Sequence, residues 1–452
     1  VFGDTNGEER TMGHEFPEDS AIWDDAVALD RAHVFHSWSA QKKIHPFEIV
    51  TGHGSTLVDA QGKEYLDFTS QLVNVNIGYQ HPKVLEGIAQ QSALMCTLGP
   101  GYANLARGRA ANLVAKRAPE GFSKVFFTNA GADANENAIR AARQFTGRDK
   151  IISSYRSYHG NTGAAISATG DWRRKPNDFS RGHVHIMTPY LYRSPFFANT
   201  EEEECARALE HFEQVVRFEG PDTIAAVLLE SIPGTAGVMV PPKDYFKGIR
   251  EITKKYGILM ITDEVMAGFG RTGEWFALDA FDYVPDLISF AKGCNSGYVP
   301  AGGVIFSDEI AHYFDERVFP GGLTYSGHPL AMASIVAAQE AMQAEDIVGN
   351  AHRVGEEVIA TGLNDLKAKH EHIGDVRGKG VMWVAEMVAD RSSKEMLDSE
   401  TMSAIHTKAK DAGLFIDVHD NRIHVVPPCV ITPEEAQRGI DILDSVLTEL
   451  GC

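Results

Sequence analysis

The sequence predicts an α/β protein, with a large domain built on a mostly parallel seven-stranded sheet between helices and a smaller α+β domain drawn from the two chain ends. Three observations carry that prediction. Apolar runs of four to six residues recur between turn formers, as buried parallel strands require. Helical stretches alternate with them, which calls for a sheet covered on both faces. Three of the runs end in a charge: Ile224–Leu229 in Glu230, Ile258–Ile261 just before Asp263, and Leu287–Ala291 in Lys292. Ligands of open α/β sheets bind beyond the carboxyl ends of strands. The three charges therefore point to one cleft lined by adjacent strand ends. A lone lysine after an apolar run is most often a surface residue. A lysine that shares a cleft with two carboxylates is partly desolvated, so its pKa is lowered and its amine becomes nucleophilic.

The 452 residues, 43% of them apolar, suit two or three domains: 1–75 as an N-terminal segment of the small domain, 76–339 as the large domain and 340–452 as the rest of the small domain. A net charge of −20 argues against a nucleic-acid surface or an acidic-membrane surface. No run approaches the roughly 20 apolar residues of a membrane span. The five cysteines lie far apart and fit neither a metal site nor a disulfide framework, so a reducing cytoplasm is the expected compartment. The polar start, residues 1–20, lacks signal-peptide character and is expected to be loose or wrapped on a partner.

In chain order, Ala21–His36 reads as a helix. Phe47–Val50, Ser55–Val58 and Tyr65–Phe68, parted by Gly-bearing turns, read as a short antiparallel meander. Pro82 opens a helix after His81, and a second helix spans roughly 103–118. The large sheet then follows as Lys124–Thr128, Lys150–Ser153, His183–Met187, the three charged-end strands, and Gly303–Phe306 as an antiparallel seventh strand. After Lys124–Thr128 the turn at Gly131 and Ala132 opens a helix, where free backbone amides make an anion site. Helices are expected over Thr200–Phe218 and Asp244–Tyr256. Arg173 and Arg174, in the loop Ala168–Asn177, suit a grip on a carboxylate, sulfonate or phosphate. Beyond residue 340 the pattern gives helices near Ala351–His370 and Ser399–Ala412 and strands near Gly380–Met387, Leu414–Val418 and Ile423–Val426. A last helix opens at Thr432-Pro433-Glu434-Glu435.

The combination of Thr262-Asp263-Glu264-Val265, Ala291-Lys292-Gly293 and Thr324-Tyr325-Ser326-Gly327-His328-Pro329 resembles the class III pyridoxal-phosphate aminotransferases, over nearly the whole chain. The stretches His36–Ser39, Ala168–Asn177 and Asn421–Cys429 are most similar to the ω-amine branch, taurine aminotransferases in particular. The resemblance implies fold type I and pyridoxal 5′-phosphate held by Lys292 as a Schiff base. Asp263 would pair with the ring nitrogen, and Tyr158 and Val265 would cover the two ring faces. His159 would lie close by, and Glu230 would lie near the ring hydroxyl. Gly131 and Ala132 would hold the phosphate, with Thr324 reaching it from the other subunit of a homodimer, itself able to pair into a tetramer. Ala132 departs from the family's usual Ser or Thr. Trp38 would stand at the mouth of the site. At the position of the family's α-carboxylate arginine the chain has His424, with Arg422 two residues earlier on the same strand face. The implied reaction moves an amino group from taurine, β-alanine, 4-aminobutyrate or an amine to pyruvate or 2-oxoglutarate. Another reaction of the same cofactor (aminomutase, racemase, decarboxylase or lyase) remains an alternative, as does a non-catalytic ligand sensor.

Overall fold

A computed structural model describes residues 20–452; the expectation for the chain before Ser20 falls outside them. The chain divides into two compact units, one comprising the N-terminal part to Gly52 with Leu57–Glu64, the other His53–Thr56 with Tyr65–Cys452. In the first unit a helix, Ser20–His33, stops three residues before the sequence pattern suggests. Local side-chain bonds end it. His36 turns its ring onto Asp30 (Nε2 to Oδ1, 2.7 Å), and the Gln41 carboxamide bonds both the N–H and the carbonyl of His36 at 2.9 Å. Strands follow at Ile49–His53, Thr56–Asp59 and Glu64–Asp67, where the meander was expected.

The second unit holds the large sheet. Its strands are β1 (Phe122–Thr128), β2 (Lys150–Ser154), β3 (His183–Ile186), β4 (Ile224–Glu230), β5 (Leu259–Asp263), β6 (Leu287–Phe290) and β7 (Gly302–Ser307). They lie in the order β1-β7-β6-β5-β4-β2-β3. Strand β7 is antiparallel to both neighbours, and the pairs β6/β5, β5/β4, β4/β2 and β2/β3 are parallel. All seven strands coincide with sequence-predicted runs to within two residues at each end. The reason is burial on both faces. Every residue of β4 is buried, so apolar character runs unbroken rather than alternating. On one face the helix Gly131–Thr146 lays Ala134, Ala138, Ile139 and Ala142 against Ile151, Leu228 and Ile261. Small alanines let this helix approach the sheet closely, and each buried Ile or Leu contributes roughly 1.5–3 kcal/mol. Gly147, in the left-handed conformation, closes the helix.

A second sheet follows: β8 (Ile373–Lys379), β9 (Met382–Asp390), β10 (Asp417–His419) and β11 (Arg422–Val425), in the order β8-β9-β11-β10 and antiparallel throughout. The expected strand Leu414–Val418 is divided in two. Leu414–Phe415 pairs in parallel with Leu66 and Asp67, while Asp417–His419 joins β11. The long helical stretch before β8 widens to a π-turn over Gly355–Ala360. There the Gly380 carbonyl approaches so closely that a Cβ on Gly355 would stand 1.8 Å from its oxygen. The last helix, Pro433–Leu450, starts with a capping box between Thr432 and Glu435. Among the described residues no helix is long and apolar enough to cross a membrane.

Candidate active site

Strand register assembles the site. Glu230 on β4 pairs with Asp263 on β5, and Asp263 pairs with Ser289 on β6. Three polar side chains thus form one row at the carboxyl edge of the sheet, and Lys292 leaves the same edge two residues past β6. The row is buried: Glu230 is 6% exposed, Asp263 3% and Ser289 0%.

Asp263 is held by three donors. Its Oδ2 accepts from His159 Nδ1 and Asn135 Nδ2, each at 2.7 Å, and its Oδ1 accepts from the Val265 N–H at 2.9 Å. Asn135 is itself fixed, since it also donates to the His159 carbonyl at 2.9 Å and accepts from Ser289 Oγ at 2.6 Å. The carboxylate is thus aimed, in a nearly dry place, by two side-chain braces and one backbone N–H. Glu230 accepts from the Tyr158 N–H at 3.1 Å and from the Gly234 N–H at 3.0 Å. Burial pushes its carboxyl above the usual range.

Lys292 is partly exposed and sits at φ +45°, a left-handed backbone rare for any residue but glycine. Strain of this kind persists only where the surroundings enforce it, and it gathers at functional sites. Burial draws the amine down to about 8. Glu230 and Asp263 pull the other way, and Arg271 and Arg173 add to the lowering. The amine is thus substantially neutral near pH 8, the state in which it attacks a carbonyl and accepts a proton.

The phosphate end is the start of the helix Gly131–Thr146. Its first helical bond runs from the Ala134 N–H to the Ala130 carbonyl, so the amides of Gly131, Ala132 and Asp133 precede it and no side chain caps them. Space is tight on both sides of this turn. A Cβ on Gly131 would lie 2.8 Å from Val265 Cγ1, and one on Gly160 would lie 2.5 Å from the Cβ of Ala132. Val265 and the turn therefore lie against each other, and the Tyr158-His159-Gly160 loop closes over Ala132. Tyr158 is half-buried, and the Arg173 guanidinium lies 3.7 Å from its ring centroid. Arg173 is itself paired with Asp171.

These residues fit pyridoxal phosphate: an amine of lowered pKa, a buried braced carboxylate, a free helix start for the phosphate, and Val265 with an aromatic ring for a flat heterocycle. The family model for class III aminotransferases matches residues 38–447. The chain belongs to that family. Taurine–pyruvate aminotransferase of Bilophila wadsworthia is 32% identical over 448 residues, covering 93% of this chain and 96% of that one. Hypotaurine/taurine–pyruvate aminotransferase of Paracoccus denitrificans is 32% identical, with 94% and 97% covered. Among solved structures, a taurine:2-oxoglutarate aminotransferase from Bifidobacterium kashiwanohense superimposes with a TM-score of 0.91 at 38% identity, covering 95% of this chain and 98% of that one. An (S)-enantioselective ω-transaminase from Thermomicrobium roseum gives 0.89 at 35%, with 94% and 98% covered. This class III enzyme is a pyridoxal-phosphate-dependent aminotransferase of the ω-transaminase branch.

The structure gathers Lys292, Asp263, Glu230, His159, Tyr158, Val265, Gly131 and Ala132 around one strand edge. Thr324 is exposed on the loop before the helix Pro329–Ala344. Trp38 belongs to the other unit, where it is 53% exposed at φ +54°. Arg422 and His424 lie on one face of β11: the arginine donates to Ala236 and pairs with Asp420, and the histidine is buried. The sequence reading missed Asn135, and its one signal was a polar residue among the alanines of a buried helix face. It also missed Glu264. That carboxyl is fully buried, and burial pushes it up to about 7. Its oxygens cap the turn Ala277–Phe281 through the N–H groups of Ala277 and Leu278, both at 2.9 Å. Adjacent carboxylates thus take opposite roles: Asp263 lies in the site's polar row and Glu264 holds the scaffold.

Proposed function

We propose that this aminotransferase takes the amino group of a taurine-like ω-amino acid, with β-alanine and 4-aminobutyrate as the nearest alternative donors, and delivers it to a 2-oxo acid such as pyruvate or 2-oxoglutarate. The observation that carries the reading is Arg173, a cation set against the Tyr158 ring and close enough to Lys292 to affect its amine. An acid group two carbons from a reacting amine would meet it, and a guanidinium matches a sulfonate or carboxylate with two parallel bonds. The taurine aminotransferases among the relatives support the same donor.

Bound pyridoxal phosphate supplies an electron sink beside the substrate carbon. Lys292, with its amine pKa lowered to about 8, is placed to take the proton from the carbon that bears the amine and to hold it on Nζ. Asp263, braced by His159 and Asn135, presents its carboxylate at the strand edge from which Lys292 leaves. Tyr158 and Val265 confine a flat group between them. The visible spectrum of the purified enzyme tests the donor. Taurine alone, with no keto acid present, should convert the coloured form to the amine form. A coloured enzyme that ignores taurine and responds to β-alanine or an arylalkylamine would move the donor class.

The same reading makes the enzyme a cytoplasmic homodimer, with Thr324 serving the partner's phosphate. Its five cysteines are all unpaired, as suits a reducing compartment. Leu94, Tyr102, Leu105 and Val318 are 69–90% exposed, an apolar surface expected to be covered. Sedimentation should give a multiple of the 49.5 kDa chain, two for the dimer and four for paired dimers, and a monomer at working concentration would remove Thr324 from its role.

A further inference from the structure

Arg271, in the loop that follows β5, is a guanidinium with 0% exposure. Its partners among the described residues are neutral. Nη1 donates to the Pro427 carbonyl, Nη2 donates to Asn76 Oδ1 at 2.6 Å, and Nε is buried without a hydrogen-bond partner. Burial opposes its charge, while Cys429 and Asp67 favour it. Asp67 is itself taken up by Thr69, Ser70 and Tyr79. A guanidinium keeps its proton even so. The fold thus encloses a positive charge without a neutralising partner, an arrangement costly enough to be rare.

Asn76 links that charge to the turn of Lys292. It is 1% exposed, and its carboxamide is fixed from both sides: Nδ2 donates to the Phe269 carbonyl at 2.7 Å, and Oδ1 accepts from Arg271. The same Nδ2 packs against the backbone just past the lysine. A Cβ on Gly293 would stand 2.3 Å from it, so the turn needs glycine there. Lys292 is held at φ +45°, and a strained backbone persists only where its neighbours enforce it. Arg271 is anchored in turn. Its carbonyl accepts from the Val381 N–H at 3.1 Å, and a Cβ on Gly380 would lie 2.8 Å from that oxygen. Guanidinium, carboxamide and turn therefore form one continuous packed unit.

Four charged side chains act on the Lys292 amine. Burial lowers its pKa most; Glu230 and Asp263 oppose that, and Arg271 and then Arg173 add to it. Cys294, two residues on, stays neutral because burial raises its thiol. Arg173 is paired with Asp171, which offsets its charge locally. Arg271 has only neutral partners. We infer that Arg271, steered by Asn76, is a positioning residue for Lys292: the pair fixes the turn that carries the lysine and sets an uncompensated positive charge beside it. A fixed cation disfavours a second positive charge nearby. The amine is thereby kept neutral and able to attack a carbonyl. This placement rests on Lys292 as the cofactor's lysine and holds for any amine donor.

The pH dependence of covalent pyridoxal phosphate uptake tests it, followed in the visible spectrum on the full chain freed of cofactor, with circular dichroism to check folding. The wild type should reach half its maximal rate near pH 8. Arg271→Gln removes the charge and keeps a polar head in the same space. Its midpoint should rise by about one pH unit, the scale of one charge acting across several ångströms of protein. Arg271→Lys alters the hydrogen bonds and keeps the charge, so its midpoint should stay close to that of the wild type. Asn76→Asp keeps the arginine and pairs its charge with a carboxylate, which decides the matter even if Arg271→Gln does not fold; its midpoint should rise as well. A folded Arg271→Gln or Asn76→Asp chain with an unmoved midpoint would overturn the inference. So would an Arg271→Lys midpoint displaced as far as that of Arg271→Gln, since geometry and not charge would then be at work. Covalent uptake that persists in Lys292→Ala would instead overturn the reading of Lys292 as the cofactor's lysine, and the role of Arg271 with it.

Discussion

Lys292→Ala is expected to abolish amino transfer, by more than about 10⁴-fold, because one substitution removes both a proton-transfer group and a nucleophile. The geometry explains why nothing nearby can take over. The other acid–base groups at this strand edge are Glu230 and Asp263. Glu230 is buried and tied to two backbone N–H groups, and Asp263 is saturated by three donors. The variant should still fold, since alanine at φ +45° carries the same kind of strain that lysine does. Lys292→Gly relieves that strain and should be more stable than Lys292→Ala in the cofactor-free form by on the order of 1 kcal/mol, while being equally inactive. A stable, inactive glycine variant would show that the fold accepts strain for the sake of the lysine. The amine's lowered pKa adds a pH signature. Below about 8 the amine is increasingly protonated and cannot attack a carbonyl. Uptake of pyridoxal phosphate by the cofactor-free enzyme should therefore accelerate as pH rises through about 8 and then level off. A rate still climbing above pH 10 would mean an ordinary lysine, and near-normal turnover by Lys292→Ala would end its catalytic assignment.

Glu230, Asp263 and Lys292 are legible in the sequence because each stands at or just past the end of a strand buried on both faces. Such strands carry an unbroken apolar run, and the first charge after it marks the edge of the sheet. Asn135 leaves no comparable mark. Its importance comes from contacts with Asp263 and Ser289, which sit on other elements far along the chain. Strand β8, Ile373–Lys379, is hidden by Gly374 and Gly378, which break the strand pattern. The structure needs both glycines: a Cβ at Gly374 would stand 2.3 Å from the Tyr192 hydroxyl, and one at Gly378 would stand 2.4 Å from the Trp383 ring. The early end of the first helix and the break between Leu414–Phe415 and Asp417–His419 have related causes. A side-chain bond competes with the helix in one case, and a change of sheet partner interrupts the strand in the other. Local pattern records burial well and records partner choice poorly.

Asp263→Asn should lower kcat about 10²–10³-fold, the scale for losing one preorganised electrostatic group, while changing cofactor affinity much less. Two effects act together, and the hydrogen-bond map separates them. The substitution removes the negative charge, whose value is greatest when the substrate carbon carries electron density, so the loss falls on the transition state more than on binding. It also breaks the donor set. An aspartate accepts on both oxygens, from His159 and Asn135 on one and from Val265 on the other. An asparagine has a single acceptor and two new donors. Whichever way its amide turns, an N–H faces an N–H, and either Val265 or the His159–Asn135 pair loses its partner. Leaving the charge and weakening the brace is a separate experiment. Asn135→Ala removes the bonds to Asp263 Oδ2, the His159 carbonyl and Ser289 and keeps the carboxylate. It should lose only about 10-fold in kcat, one charge-assisted bond being worth roughly 1.5–3 kcal/mol before relaxation. The order Asp263→Asn far below Asn135→Ala is expected if charge dominates. Equal losses would mean that Asp263 acts mainly as a scaffold for His159 and Asn135, and an unchanged kcat in Asp263→Asn would remove it from the chemistry altogether.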